Sequence, residues 1–437
     1  MNAHAQIEAE AAIADPRPRS AVSHGVGVAG LAGLFAWIAI ARQFGMDGPN
    51  SALMAVFWCA LPMVVWSLLV DRVHRNPSTG IDWSALPKPL SETLDISISK
   101  IAGLWATWGL IAVIYCIGRW YWEGGYQFSM SVLATVAPWL VGLSIPYVLW
   151  LDRRLKDPRD GAWIFGQWLA GQGVADPEKL YDHFRAWAVK AFFLAFMISI
   201  VPGGFGDFVR APMAEILSGP VPMINWLITG MFVVDVMFAT VGYALTMKPL
   251  DAHIRSANPY AAGWTAALIC YPPFILMNPG GPLDHHKAAG DWAMWFANYP
   301  VLLVGTGLAL VLLTAIYAWA TVAFGLRFSN LTHRGILTHG PYAWTKHPAY
   351  LSKNLFWWLS LLPFFATSGS LVDAARNTAI LAIVSGVYYW RARTEEAHLG
   401  QDPAYREYAD WMERNGPIPR LIRRLTGRTP ANLAPAE

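Results

Sequence analysis

Residues 300–325 read "PVLLVGTGLALVLLTAIYAWATVAFG", a run without one charged side chain. At about 1.5 Å of rise per residue it covers the roughly 30 Å hydrocarbon layer of a bilayer. Backbone polar groups in that layer must bond to one another, so the run predicts a transmembrane helix. Similar runs lie at 25–41, 51–70, 101–120, 128–150, 187–203, 224–246, 260–278, 354–368 and 377–392. Together they predict ten spans. "YPPF" (271–274) should kink the seventh, and "VPGG" (201–204) should close the fifth early.

Composition agrees with a chain that lives in lipid. Apolar residues make up 55% of the 437 and charged residues only 14%, too few charges to keep a chain of this length in solution. A formal net charge of +3 gives no reason to expect a nucleic-acid partner. Cys59, Cys116 and Cys270 are far apart inside apolar runs and read as small hydrophobes. The first run follows a polar leader without a cleavage site, so it reads as a span and not a signal peptide.

Basic residues orient the spans. Alternate segments beginning with the N-terminus, with the basic residues just inside their span ends, carry 27 Lys and Arg; the remaining connections carry 4, and Arg119 lies at the non-basic end of the third span. That asymmetry predicts a multi-pass integral membrane protein with both termini in the cytoplasm, in the inner membrane if the source is bacterial. The expected fold is an all-α polytopic bundle. Its parts are a disordered cytosolic stretch at 1–22, a transmembrane region at 23–298, a C-terminal membrane domain at 299–420 and a basic tail at 421–437. Within the connection 151–186, "WIFGQWLAG" followed by "DPEKLYDHF" suits either an interfacial amphipathic helix or a plain surface loop.

Chemistry gathers around the last two spans. The loop after the run quoted first continues "RFSNLTHRGILTHGPYAWTKHPAYLSKNLFWW" (327–358), and the last span ends "VYYWRARTEEAHLGQDPAYREYADW" (387–411). One outward and one returning span separate the two stretches. A hairpin therefore brings Lys346, His347 and Tyr350 to the same membrane face as Arg391, Arg393, Glu395 and Glu396. Lys346 and His347 offer donors to an anion, while Tyr342, Trp344 and Tyr350 offer ring faces to a base or a sulfonium. Glu395 and Glu396 can accept from ribose hydroxyls, and Gly340–Pro341 sets a tight turn. Such residue types also concentrate at any membrane interface. It is their order and common face that point to a site.

The stretch from about 320 to 420 resembles the isoprenylcysteine carboxyl methyltransferase family of integral membrane methyltransferases. That family has an Arg-His-Pro-x-Tyr-x-Gly block, a helical hairpin and a Glu-Glu pair; this chain has "KHPAYLS", then "RTEE". Lys346 stands where the family has Arg, and Ser352 where it has Gly. The resemblance implies S-adenosylmethionine as methyl donor, held by Tyr342, Lys346, His347, Pro348, Tyr350, Glu395 and Glu396. It implies a lipophilic or lipid-modified acceptor, such as a prenylcysteine-type carboxylate, with Arg393 and Glu396 as the catalytic pair. No metal is expected: "DHH" (284–286) has no third ligand nearby.

Membrane sterol reductases are similar in their His-Pro-x-Tyr loop and in having about ten spans, and they bind NADPH. They carry "NYxGD" and "RDEHxC" where this chain has "AYLSK" and "RTEEAH". A third alternative, a non-enzymatic transporter, is supported by helix-breaking "PPF" and "VPGGFG" and by Asp235, an acid deep in the sixth span. Asp235 reads equally as the lining of a lipid-substrate tunnel or as a buried structural acid.

Overall fold

The computed structural model describes residues 17–174 and 176–426. They are mostly helical, and eight helices are long and apolar enough to cross a membrane. These are α1 His24–Phe44, α2 Pro49–Leu69, α3 Leu90–Ile117, α4 Gly125–Asp152, α6 Pro177–Arg210, α7 Pro220–Ala244, α9 Pro300–Phe324 and α11 Leu371–Leu399. Shorter helices are α5 Gly161–Leu169, α8 Ala261–Leu268, α10 Pro348–Leu361, α12 Pro403–Asn415 and α13 Pro417–Thr426. Two-residue strands β1 (Ser256–Ala257) and β2 (Thr332–His333) pair antiparallel.

Two of the ten expected spans are therefore not long helices. The seventh, 260–278, is helical only in α8 and turns at Tyr271–Phe274, because Pro272 and Pro273 supply no backbone donor. The ninth begins early, at Pro348, and stops at Leu361, since Pro363 disfavours helix in the residue before it. Both stretches still join opposite ends of the bundle. The β1–β2 pair fixes one end, while Lys287 Nζ lies 3.2 Å from Asp373 Oδ1, at the start of α11. The expected early stop in the fifth span is also corrected. α6 runs on through Pro202 to Arg210, with Val201 and Phe205 buried on either side of the proline.

The "WIFGQWLAG" stretch forms α5, which packs closely on α3: a Cβ on Gly103 would stand 2.0 Å from the Ala162 carbonyl oxygen. "DPEKLYDHF" is the first part of α6, capped by Asp176, whose side chain accepts from the Lys179 N–H. Beside this contact the buried Lys100 ammonium is held by Asp152 at 2.7 Å and Asp160 at 2.9 Å.

The innermost helix is α7, apolar around its circumference as a buried helix should be. It ends in carbonyls that Arg334 satisfies: the buried guanidinium donates to Gly242 at 2.8 Å and Leu245 at 3.2 Å. It also donates to Leu326 and Phe328 at 2.8 Å, so one side chain ties the end of α7 to the start of the loop after α9. The first described residues lie on the same loop, with Arg17 donating to the Thr338 carbonyl at 3.0 Å and stacking over Trp411 of α12. Residues 1–16 and 427–437, within the predicted N-terminal stretch and tail, lie outside the described residues; 421–426 belong to α13.

Candidate functional site

The loop between α9 and α10 is shaped by a glycine in a left-handed conformation that strains other residues. Gly340 has a φ of 60°, and a Cβ there would meet the Trp319 ring nitrogen at 3.2 Å. Pro341 then starts a 3-10 turn over Gly340–Ala343, and Pro348 occupies the first turn of α10, where its missing N–H costs nothing. This places His347 immediately before α10, against the end of α11.

His347 Nε2 lies 2.9 Å from Glu396 Oε1, and Lys346 Nζ lies 2.8 Å from the same oxygen. Arg393 donates to Glu396 Oε2 at 2.6 Å. Glu396 is thus a hub for three basic groups. Glu395 accepts from the Tyr350 hydroxyl at 3.0 Å and is half open to solvent. The His347 and Tyr350 rings lie parallel, with centroids 5.6 Å apart.

Behind these residues is a cavity of about 80 Å³. Of the residues picked from the sequence, Tyr342, Lys346, His347, Tyr350 and Glu395 line it. Pro348, Glu396 and Arg393 do not: Pro348 starts the helix, Glu396 gathers the cations, and Arg393 is mostly exposed. Trp344 packs edge-on against Trp319 outside the cavity. Burial raises the Tyr342 hydroxyl well above its ordinary range, so it is a donor and not a phenolate.

Sequence reasoning missed the inner wall. Tyr317 and Thr321 of α9, Lys353 of α10, Tyr388 and Arg391 of α11, and Tyr271 from the turn after α8 all line the cavity. Lys353 lies one residue before the ninth predicted span, 354–368. Arg391 belongs to the expected membrane face, but the hairpin alone assigns it no role. Spacing carries the signal: at i and i+2 on one helix, Arg391 and Arg393 must point to nearly opposite sides. Only one can enter the bundle, and Arg391 does; its guanidinium lies 5.1 to 5.5 Å from the centroids of Tyr350, Tyr388 and Tyr271.

Residues 292–412 match the model of a family described as a protein of unknown function, DUF1295. The matched segment holds α9 to α11 and hence most of the cavity wall. No curated protein and no solved structure matches the chain.

Proposed function

We propose that this protein is a membrane methyltransferase that moves a methyl group from S-adenosylmethionine to a lipophilic acceptor. The donor enters between the α9–α10 loop and α11 from the cytosol, and the acceptor arrives from the bilayer. The observation that carries the reading is the charge balance at the mouth. Lys346, Arg393 and His347 are all engaged with Glu396, while Glu395, which accepts from Tyr350 and lies 3.9 Å from His347 Nδ1, keeps a half-open carboxylate beside the His347–Tyr350 ring pair. A cationic sulfonium donor with a ribose diol suits that mouth: Glu395 accepts from hydroxyls, and tyrosine faces attract the positive charge.

S-adenosylmethionine supplies an activated methyl on sulfur. The residues contribute position and dryness, since a methyl displacement needs an in-line approach in a water-poor site. Donor and acceptor together need several hundred Å³, so binding spreads the loop away from α11.

A second reading has a specific support. The matched family is associated with steroid 5-alpha-reductase-like membrane proteins, which favours hydride transfer from NADPH. Against it, a phosphate-rich dinucleotide needs free cations at the mouth, where Lys346 and Arg393 are instead paired with Glu396; the cations without a carboxylate partner, Lys353 and Arg391, lie on the inner wall. Thermal unfolding of the detergent-purified protein separates the two. A ligand at a hundredfold excess over its Kd stabilises the folded state by about 2.7 kcal/mol. S-adenosylmethionine or its demethylated product should raise the melting temperature and NADPH should not; the opposite pattern selects the reductase.

A further inference from the structure

The inner wall of the cavity has a charge problem that the donor does not solve. Lys353 Nζ lies 5.5, 5.2 and 5.6 Å from the ring centroids of Tyr317, Trp357 and Tyr388. Arg391 sits in a similar tyrosine cage, donating to Asn330 Oδ1 at 3.2 Å. Among the described residues no carboxylate oxygen lies within 4.0 Å of either cation. Aromatic faces compensate only part of the cost of burying the Arg391 charge, and Lys353 beside it is half-buried. Two cations at one wall call for a ligand oxygen that carries negative charge.

A carboxyl group stands one bond behind the same wall, near enough to Lys353 to feel its charge. Asp235, buried in α7, accepts a hydrogen bond from the Thr321 hydroxyl, and the Tyr317 hydroxyl also faces it. Thr321 and Tyr317 line the cavity, whereas Asp235 does not. From the same helix, Tyr243 receives the Asn330 side-chain amide at 2.9 Å, and so orients the group that holds Arg391. α7 lies outside the family-matched segment yet supports both features.

We infer that this wall is the acceptor subsite, and that the acceptor is a lipophilic phenol or enol methylated on oxygen. The inference rests on the methyltransferase reading. The acceptor oxygen bonds to the methyl carbon as the carbon–sulfur bond breaks, and that bond's electron pair stays on sulfur. The hydroxyl proton passes to Thr321, whose own proton moves to Asp235. Lys353 and Arg391 stabilise the oxyanion as it forms. Asp235 acts through Thr321 and is a positioning residue. A carboxylate acceptor is already ionised and leaves Asp235 without a task. An amine would become cationic between two cations.

A chromogenic probe tests the subsite without any donor. With the protein in nanodiscs, 2-dodecyl-4-nitrophenol should become half-ionised, read as phenolate absorbance, at a pH about one unit or more below its value in empty nanodiscs. Lys353→Met and Arg391→Met should each remove most of that displacement. Methyl transfer from S-adenosylmethionine to 4-dodecylphenol, a phenol that unlike the nitrophenol stays protonated in neutral solution, should fall about 10²- to 10⁴-fold in Asp235→Asn, with donor affinity by calorimetry unchanged. Thr321→Val, which keeps volume, should reproduce that loss if Asp235→Asn folds poorly. Undisplaced ionisation, wild-type turnover in Thr321→Val, or methylation of dodecanoic acid with the phenol inert would each overturn the proposal. Displaced ionisation without donor binding would sink the methyl-transfer reading alone and support the oxyanion subsite.

Discussion

His347 and Glu396 are joined at 2.9 Å across 49 residues of chain, and this bond closes the α10–α11 hairpin at the mouth of the cavity. Lys346 and Arg393 strengthen the closure on the same carboxylate. Glu396→Gln keeps the shape and removes the charge that all three groups share. The loss of charge-assisted bonding should cost about 1.5–3 kcal/mol. It should appear as a lower melting temperature in detergent together with weaker donor binding. An unchanged melting temperature would show that the hub is only a solvated interface.

Arg391 and Arg393 should differ sharply although two residues apart. Arg393 is largely exposed and holds Glu396 from outside, whereas Arg391 faces the cavity between three tyrosine rings. Arg391→Ala should reduce turnover by at least about a hundredfold, as loss of a group that stabilises charge in the transition state does. Arg393→Ala should stay within about tenfold, since exposed ion pairs contribute about 1 kcal/mol or less. Equal losses in steady-state assays would refute the separation of inner and outer roles.

Topology can be checked independently of chemistry. Single cysteines near residues 160, 345 and 415 should be labelled only from the cytosolic side, and those near 125, 215 and 370 only from the other side. The two broken crossings are the sensitive point. If 345 and 415 reported opposite faces, the contacts that bring α12 under the loop, such as Tyr408 donating to the Tyr342 carbonyl at 2.7 Å, could not form.

The eight long helices were legible because lipid leaves few choices: a long uncharged run satisfies its own backbone only as a helix. The mouth of the site was legible too, since Lys346, His347, Tyr350 and Glu395 lie in motifs beside span ends. The inner wall was not. Tyr317, Thr321 and Tyr388 sit within apolar runs, where a polar side chain at helical spacing does not announce which way it faces. Lys353 was hidden by a span boundary, and α10 begins where it does because Pro348 can start a helix. Arg334 appeared as one more basic loop residue, yet it is buried on five backbone carbonyls. A guanidinium in that role has no sequence signature.

Acid should loosen the site end of the bundle through two histidines in its loops. Burial, with the nearby Lys248 charge, pushes His253 down to about 4. Burial, with His24 and Arg17 nearby, pushes His339 down to about 4 as well. Their unfolded-state values are near 6.5. Between those limits the unfolded chain binds more protons, so stability falls as pH drops through the window from about 6.5 to 4. Each histidine adds a slope of at most about 1.4 kcal/mol per pH unit. His339 also bonds the Ser20 hydroxyl at 2.6 Å, which fixes the N-terminal segment on the loop. Melting temperatures recorded from pH 7 to 4.5 should therefore fall less steeply in His339→Gln than in the wild type. Parallel curves would rule His339 out as a contributor.

Asp251 holds the loop to the N-terminal helices. Asp251 is buried and accepts from Arg327 at 2.7 Å, from Asn76 at 2.9 Å and from Ser78 at 2.8 Å. It thereby clamps the connection after α2 against the residue that ends the run from Pro300 to Arg327. Its own φ is 49°, a left-handed conformation that asparagine adopts readily. Asp251→Asn consequently preserves backbone and volume and removes one charge. Arg327, itself buried, is left as an uncompensated cation with only neutral acceptors, the asparagine amide oxygen and the Arg334 carbonyl at 2.8 Å. Breaking a buried pair from one side costs about 3–5 kcal/mol, so the melting temperature should drop more than for Glu396→Gln. Because the loop that carries His347 begins at Arg327, donor affinity should fall although Asp251 is absent from the cavity wall. Asp251→Asn with normal stability and normal donor binding would show that the N-terminal helices and the site are mechanically independent.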